Sequence, residues 1–151
     1  MPEEGIVLFR RSEENPDLPV PAYATDGSAG LDLRACLAEP LVLAPGERAL
    51  VPTGFAVQLP EGTEGQVRPR SGLAIREGLT LLNSPGTIDP DYRGEIKVVI
   101  INLGQRPVRL ERGARIAQLV ITPLRRARPR EATSLSETGR GCGGFGHTGK
   151  S

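Results

Sequence analysis

The chain has 151 residues, a formal charge of +1, one histidine, two cysteines, 19 glycines and 14 prolines. That length suits one domain with a substantial core, and the near-neutral charge gives no global drive toward nucleic acid or an anionic membrane. The single His147, two cysteines (Cys36, Cys142) without CxxC spacing, no secretory leader and no apolar run near ~18 residues have joint consequences. They argue against zinc centres, Ser-His or Cys-His nucleophiles, a disulfide framework and a membrane span. A soluble, cytoplasmic protein is expected, with chemistry resting on carboxylates, arginines, hydroxyls and backbone amides.

In chain order, Ile6 to Phe9 reads as a strand, followed by the polar stretch Arg11 to Asp17. Leu31, Leu33 and Ala35 alternate with Asp32 and Arg34, the period of a half-buried strand. Leu41 to Leu43, Arg48 to Val51, Gly54 to Leu59 and Gln66 to Arg70 add short strands, with turns at Pro45-Gly46 and Pro60 to Gly62. Ser71 to Gly78 is the one predicted helix, capped by Ser71 and ended by Gly78. Leu79 to Leu82, Ile96 to Asn102 (its apolar part read as fully buried), Val108 to Leu110 and Ile116 to Thr122 complete the set. Strands every 8–12 residues between turn signals predict an all-β sandwich or jelly-roll barrel over residues 1–132. Residues 133–151 offer little to bury and read as a glycine-rich tail, mobile until a ligand or a neighbour orders it. The basic run Arg125, Arg126, Arg128 and Arg130 before it reads as a solvated or inter-subunit face rather than a nucleic-acid site.

The segment Asn83-Ser84-Pro85-Gly86-Thr87-Ile88-Asp89-Pro90-Asp91-Tyr92-Arg93-Gly94 gathers two carboxylates, an aromatic, an arginine and an amide between two apolar runs. It fits either an ordinary turn with Tyr92 packed on the next strand, or a binding loop held between rigid anchors. Asp89 and Asp91 could share a strand face as an acid/base pair, although a loop-structuring role suits Asp91 better. Pro69-Arg70-Ser71-Gly72 ends a strand and opens the helix, and can be a plain cap or an anion site. Gln118 lies among apolar strand residues and needs a polar partner, structural or phosphate. The last eight residues formally satisfy G-x-x-x-x-G-K-[ST], but that pattern needs a following helix, so a P-loop fold is not expected. Its glycines, with Arg140, Lys150 and Thr148, could still donate to phosphate. Phe145 is one of only five aromatics, and it suits either stacking on a flat ring or tucking into a groove of the same molecule.

Together these segments resemble the trimeric deoxyuridine triphosphatases (dUTPases), whose five motifs all occur here in order. The first is Ser28-Ala29-Gly30-Leu31-Asp32-Leu33 and the second Pro69-Arg70-Ser71-Gly72-Leu73-Ala74. The third runs from Gly86-Thr87-Ile88-Asp89 through Asp91-Tyr92-Arg93-Gly94 to Asn102. The fourth is Gly113 to Leu119, and the fifth is Arg140-Gly141 through Gly144-Phe145-Gly146 to Gly149.

The resemblance implies a distorted jelly-roll homotrimer that binds dUTP at three shared sites and hydrolyses it to dUMP and pyrophosphate with Mg²⁺. It implies Asp89 as the general base on the attacking water, also contacting the 3′-hydroxyl. Tyr92 would lie beneath the deoxyribose and exclude UTP, while Asn83, with Gly86, Thr87 and Ile88, would bind the uracil nucleoside. Arg70, Ser71, Gly72 and Gln118 would hold phosphates, and Asp32 would meet waters of the bound magnesium. Arg140 would reach the γ-phosphate and Phe145 cover the uracil, with Gly146, His147 and Thr148 completing the lid. His147 departs from the small hydroxyl residue frequent at its position and could make affinity pH-sensitive. The competing readings are a dCTP deaminase of the same superfamily, a non-catalytic dUTP-sensing interaction protein, and a plain jelly-roll structural subunit. The first lacks a clear acid/base carboxylate beside Asn83, the second does not need Asp89, and the third does not explain the tail.

Overall fold

Short apolar runs cut by glycine and proline become ten strands and one helix in the computed structural model, which describes residues 5–150. The strands are β1 (Leu8–Arg11), β2 (Leu31–Arg34), β3 (Leu41–Leu43), β4 (Arg48–Gln58), β5 (Thr63–Arg68), β6 (Leu79–Leu81), β7 (Gly86–Ile88), β8 (Glu95–Asn102), β9 (Val108–Leu110) and β10 (Arg115–Pro123). Helix α1 (Ser71–Glu77) lies between β5 and β6. One sheet has the order β1-β4-β8-β6, a second β2-β10-β5-β7, and β3 pairs with β9 as a ribbon. Every pairing is antiparallel. The architecture is all-β with one short helix, and of the sandwich and jelly-roll barrel that the strand spacing leaves open it is the jelly roll.

Both sheets and the ribbon feed one core. Val51, Val57, Leu79, Leu81, Ile96, Val98 and Ile100 come from the first sheet, and Leu31, Leu33, Val67, Ile116, Ala117 and Leu119 from the second. Leu43, Val108 and Leu110 close it from the ribbon. Burying each such side chain contributes roughly 1.5–3 kcal/mol, so this cluster dominates the fold's stability.

Four local expectations differ from the structure. Arg48 to Val51 and Gly54 to Leu59 are one strand, because a β-bulge absorbs the irregular Pro52-Thr53-Gly54 rather than ending the pairing. Gly54 takes φ 75°, a left-handed value open to glycine at little cost. The run Ile96 to Ile101 is not buried on both faces. Ile96, Val98 and Ile100 point into the core, while Lys97, Val99 and Ile101 line the outer face beside Leu50. Ser71 does not cap α1: Arg70 is the boundary residue, with extended φ −101° and ψ 127°, and no side chain caps the helix. Its main-chain O already accepts from Ala74 N–H at 3.1 Å, which makes Ser71 the first helical residue and leaves its hydroxyl free. Finally, the 83–94 segment is neither turn nor loop throughout, because Gly86–Ile88 form β7 within it.

The remaining shifts are small. β1 starts two residues later than Ile6, and β5 covers Thr63–Arg68 rather than Gln66 to Arg70. Gly78 ends the helix as expected, at φ 70°, with its N–H on Ala74 O. Beyond β10 the described residues form no helix or strand, and Leu135 and Phe145 are exposed. Ser151, the last residue of the G-x-x-x-x-G-K-[ST] match, lies outside the described residues.

Candidate active site

Antiparallel register brings three distant sequence segments to one place. Gln118 on β10 stands opposite Asp32 on β2 and, across its other edge, opposite Arg68 on β5. Directly opposed residues share a sheet face, so Asp32 and Gln118 point the same way. The exit from β5 then swings Arg70 alongside. The Asp32 carboxylate accepts from Arg115 Nη1 at 3.2 Å and lies 3.9 Å from Arg70 Nε. Arg70 Nη1 also donates to Arg115 main-chain O at 3.3 Å, and Gln118 Nε2 donates to Pro69 O at 3.2 Å.

Asp32, Arg70 and Gln118 line an open cleft of about 320 Å³ with Ser28, Gly30, Ser71 and Gly72, while Arg115 pairs with Asp32 from outside that lining. Arg70, the Ser28 and Ser71 hydroxyls and the Gln118 amide give the cleft several donors, and Arg115 behind it offsets the Asp32 charge, an arrangement suited to polyanionic oxygens. A Cβ on Gly30 would lie 2.7 Å from Gln118 Oε1, so only glycine leaves that amide where it is.

A second group of residues gathers around β7, the edge strand of its sheet. Asn83, Gly86, Thr87 and Ile88 line a narrow slot whose walls are Val67, Leu81, Lys97, Val98 and Val99. β7 pairs only with β5, so its outer edge keeps unpaired main-chain N–H and C=O groups that can meet the edge of a planar ligand. Next to the slot, Asp89 and Tyr92 line a cleft with Leu50, Thr87, Ile88, Glu95 and Lys97. Asp89 is exposed there, and its main-chain O accepts from Tyr92 N–H at 3.0 Å. Asp89 and Asp91 do not share a strand face, because β7 ends at Ile88 and both residues follow it in a turn.

The two regions share no lining residue. One chain therefore presents a donor cleft (Asp32, Arg70, Ser71, Gly72, Gln118) and a separate carboxylate-and-tyrosine cleft with its slot (Asn83, Gly86, Thr87, Ile88, Asp89, Tyr92). The tail residues Arg140, Phe145, Gly146, His147 and Thr148 line neither. Arg140 Nε donates to Gly143 O at 2.7 Å, the His147 ring rests against Gly143, and Phe145 is fully exposed at φ 52°.

Sequence reasoning gave two neighbours of these clefts no role of their own, although Arg115 lies in the fourth motif. Arg115 closes on Asp32, and its proximity follows from a β2–β10 register that no local pattern reveals. Lys97 borders both the slot and the Asp89 cleft, but the apolar run around it hid the strand alternation that turns it outward.

A family model described as dUTPase matches residues 17–149. The chain belongs to the dUTPase family. It is 61% identical over 134 residues to a deoxyuridine 5′-triphosphate nucleotidohydrolase of Rhizobium etli, covering 87% of this chain and 86% of that one. A protein of the same name from Anaeromyxobacter is 60% identical over 145 residues, covering 96% and 97%. Among solved structures, the Staphylococcus bacteriophage 80alpha dUTPase with dUPNHPP superposes with a TM-score of 0.85 at 27% identity. That superposition covers 96% of this chain and 99% of the phage protein. The phage dUTPase shares this chain's fold, and the family match supports neither the deaminase nor the binding-only alternative.

Proposed function

We propose that this chain hydrolyses dUTP to dUMP and pyrophosphate, at sites completed between the subunits of a homotrimer. The observation that carries the second half is the separation of the two clefts. The phosphate donors and the carboxylate that would orient water line different clefts of one chain, and a second copy would let one substrate meet both. The outward face of β4 and β8 supplies apolar surface for such an assembly, with Leu50 60% exposed in register with Val99. On this reading the described residues up to 132 are the body, and those from 133 on are the lid contributed by the remaining chain. High identity to named nucleotidohydrolases supports the reaction itself.

The edge of β7 reads the uracil through main-chain groups, and Asn83 adds its amide. Gly86 suits this task because a Cβ there would press to 3.2 Å from Asn83 Nδ2. Tyr92 lies beneath the deoxyribose and leaves no room for a 2′-hydroxyl. Arg70, Ser71, Gly72 and Gln118 hold the triphosphate from the donor cleft. Asp89 accepts a proton from water as that water's oxygen attacks the α-phosphorus. The bond from the α-phosphorus to the α,β-bridging oxygen breaks, and pyrophosphate leaves. Arg140 reaches the γ-phosphate, Phe145 covers the base, and Gly146, His147 and Thr148 complete the closed tail.

The donor set fits a magnesium ion held mainly by substrate oxygens and water. Asp32 is the only carboxylate lining the donor cleft, and among the described residues no group of three or more His, Cys, Asp or Glu could hold a metal. When bound, Mg²⁺ neutralises charge across the triphosphate. Asp32 would accept hydrogen bonds from its waters, with Arg115 at 3.2 Å and Arg70 at 3.9 Å holding the carboxylate in place.

The slot around Asn83 contains no Asp or Glu, so it lacks the acid/base group that cytosine deamination requires. Among the described residues no helix is long and apolar enough to cross a membrane. A cytoplasmic enzyme that limits uracil in DNA and supplies dUMP for thymidylate synthesis suits these features.

The test is incubation of the purified protein with Mg²⁺ and dUTP, dCTP, dTTP or UTP, each alone. Pyrophosphate and dUMP from dUTP only is the expected result. Deaminated product from dCTP, or tight dUTP binding without turnover, contradicts the proposal.

A further inference from the structure

Tyr92 belongs to a loop, yet its ring is held by the sheet. Its hydroxyl donates to the main-chain O of Glu95 at 2.7 Å, and the phenol folds over Gly94, where a Cβ would fall 2.5 Å from Tyr92 Oη. Glu95 opens β8, so the ring is tied to the first rigid residue after the loop.

The Glu95 side chain has a different partner. Its Oε1 accepts from Gly54 N–H at 2.8 Å, at the bulge of β4. That bulge is clasped from several directions. Asn15, fully buried, donates Nδ2 to Gly54 O at 3.2 Å, and Ser12 N–H donates to the same oxygen at 2.9 Å. Thr53 Oγ1 donates to Ile96 O at 2.7 Å, beside Glu95. Asn15 is itself fixed, its Oδ1 accepting from Leu18 N–H at 3.0 Å. A Cβ on Gly54 would strike Asn15 at 2.5 Å, so the bulge is glycine-specific and tightly filled.

Bulges persist where they re-aim a side chain or terminate pairing. Here the bulge turns one amide out of the ladder and gives it to the carboxylate of the residue whose carbonyl carries Tyr92. Satisfying a spare amide needs some acceptor; it does not need the residue that anchors the tyrosine.

We infer that Glu95 is a positioning residue for sugar discrimination. Its carboxylate, seated on Gly54 N–H, fixes the main chain at the start of β8 and so sets the tilt of the Tyr92 ring. Exclusion of a 2′-hydroxyl then depends on the Glu95–Gly54 hydrogen bond as well as on the ring itself, and through Gly54 on Asn15. This rests on the dUTP reading of the Asp89–Tyr92 cleft.

Three substitutions separate the effects. Glu95→Ala removes the acceptor, Glu95→Asp withdraws it by one methylene while keeping its charge, and Glu95→Gln keeps an oxygen in place without the charge. The ratio of kcat/KM for dUTP to that for UTP should fall about tenfold in Glu95→Ala and Glu95→Asp, and stay within about twofold in Glu95→Gln. A second readout needs no substrate. The chain has two tyrosines and no tryptophan, so in a Tyr23→Phe background tyrosine emission reports Tyr92 alone. Acrylamide quenching should rise about twofold in Glu95→Ala and remain at the parent level in Glu95→Gln, as expected for a ring released from its clasp.

Lower thermal stability with unchanged quenching and an unchanged substrate ratio would reduce Glu95 to a structural role and overturn the inference. If Glu95→Ala does not fold, the same comparison is decided on Glu95→Asp. A parent protein that leaves dUTP intact overturns sugar discrimination together with the dUTP reading, whereas a parent that turns over dUTP beside variants of unchanged ratio overturns the role of Glu95 alone.

Discussion

Gly30 and Gln118 meet with no space between them: a Cβ on Gly30 would lie 2.7 Å from Gln118 Oε1 and 2.9 Å from its Cβ. The first motif thus holds the amide of the fourth motif in the donor cleft by the absence of a side chain. Gly30→Ala should displace Gln118 and raise KM for dUTP about tenfold, with a smaller effect on kcat, because the phosphates lose a donor. Steady-state kinetics with a parallel melting curve check this. Unchanged KM in a folded variant would detach Gln118 from phosphate binding.

Asp89→Asn keeps the shape of the second cleft and removes the carboxylate proposed as the proton acceptor. Turnover should fall by at least about a hundredfold while dUTP affinity, measured by calorimetry, changes little. Near-parent turnover would remove Asp89 from the base role.

Far from the clefts, Arg112 Nη2 donates to Asp17 Oδ1 at 2.6 Å and also bonds Glu14 O, while Arg112 Nη1 donates to Leu37 O. The hydrogen bond from Arg112 holds the Asp17 carboxyl below the ordinary carboxylate value, against a smaller opposing effect of desolvation. A carboxylate with a depressed folded value stabilises the fold above its unfolded value of about 3.9, and that contribution is lost as the pH falls through the folded value. Asp17→Asn should therefore lower the urea midpoint at pH 6 and converge with the parent well below pH 4. A constant gap across that range would contradict the assignment.

The strand inventory was legible because the core residues of β2, β8 and β10 recur in short apolar runs between glycine and proline. Boundaries failed where tertiary contacts overrode local signals. The Gly54 bulge looks like a strand end until Glu95, forty-one residues later, satisfies its amide. Ser71 carries the best capping side chain, yet the helix begins one residue earlier in its bonding, at the carbonyl of Arg70.

At the candidate site the motifs name the residues but not which ones a single chain brings together. Asp32, Arg70 and Gln118 converge through β2–β10–β5 pairing, whereas Asp89 follows β7 into a different cleft. Strand pairing across the sequence sets that division, and local periodicity carries no trace of it.

The tail poses the sharpest test of the composite site. A protein lacking residues 140–151 should keep its core, since no described residue of that segment belongs to it, and should lose most activity. The decisive measurement mixes this truncated protein with the Asp89→Asn protein under conditions of subunit exchange and assays dUTP hydrolysis. Each is nearly inactive alone, but random trimers place an intact Asp89 and an intact tail together in about a quarter of the sites. Recovery toward about a quarter of parent activity is the predicted result. No recovery after exchange has been verified would contradict sites shared between subunits.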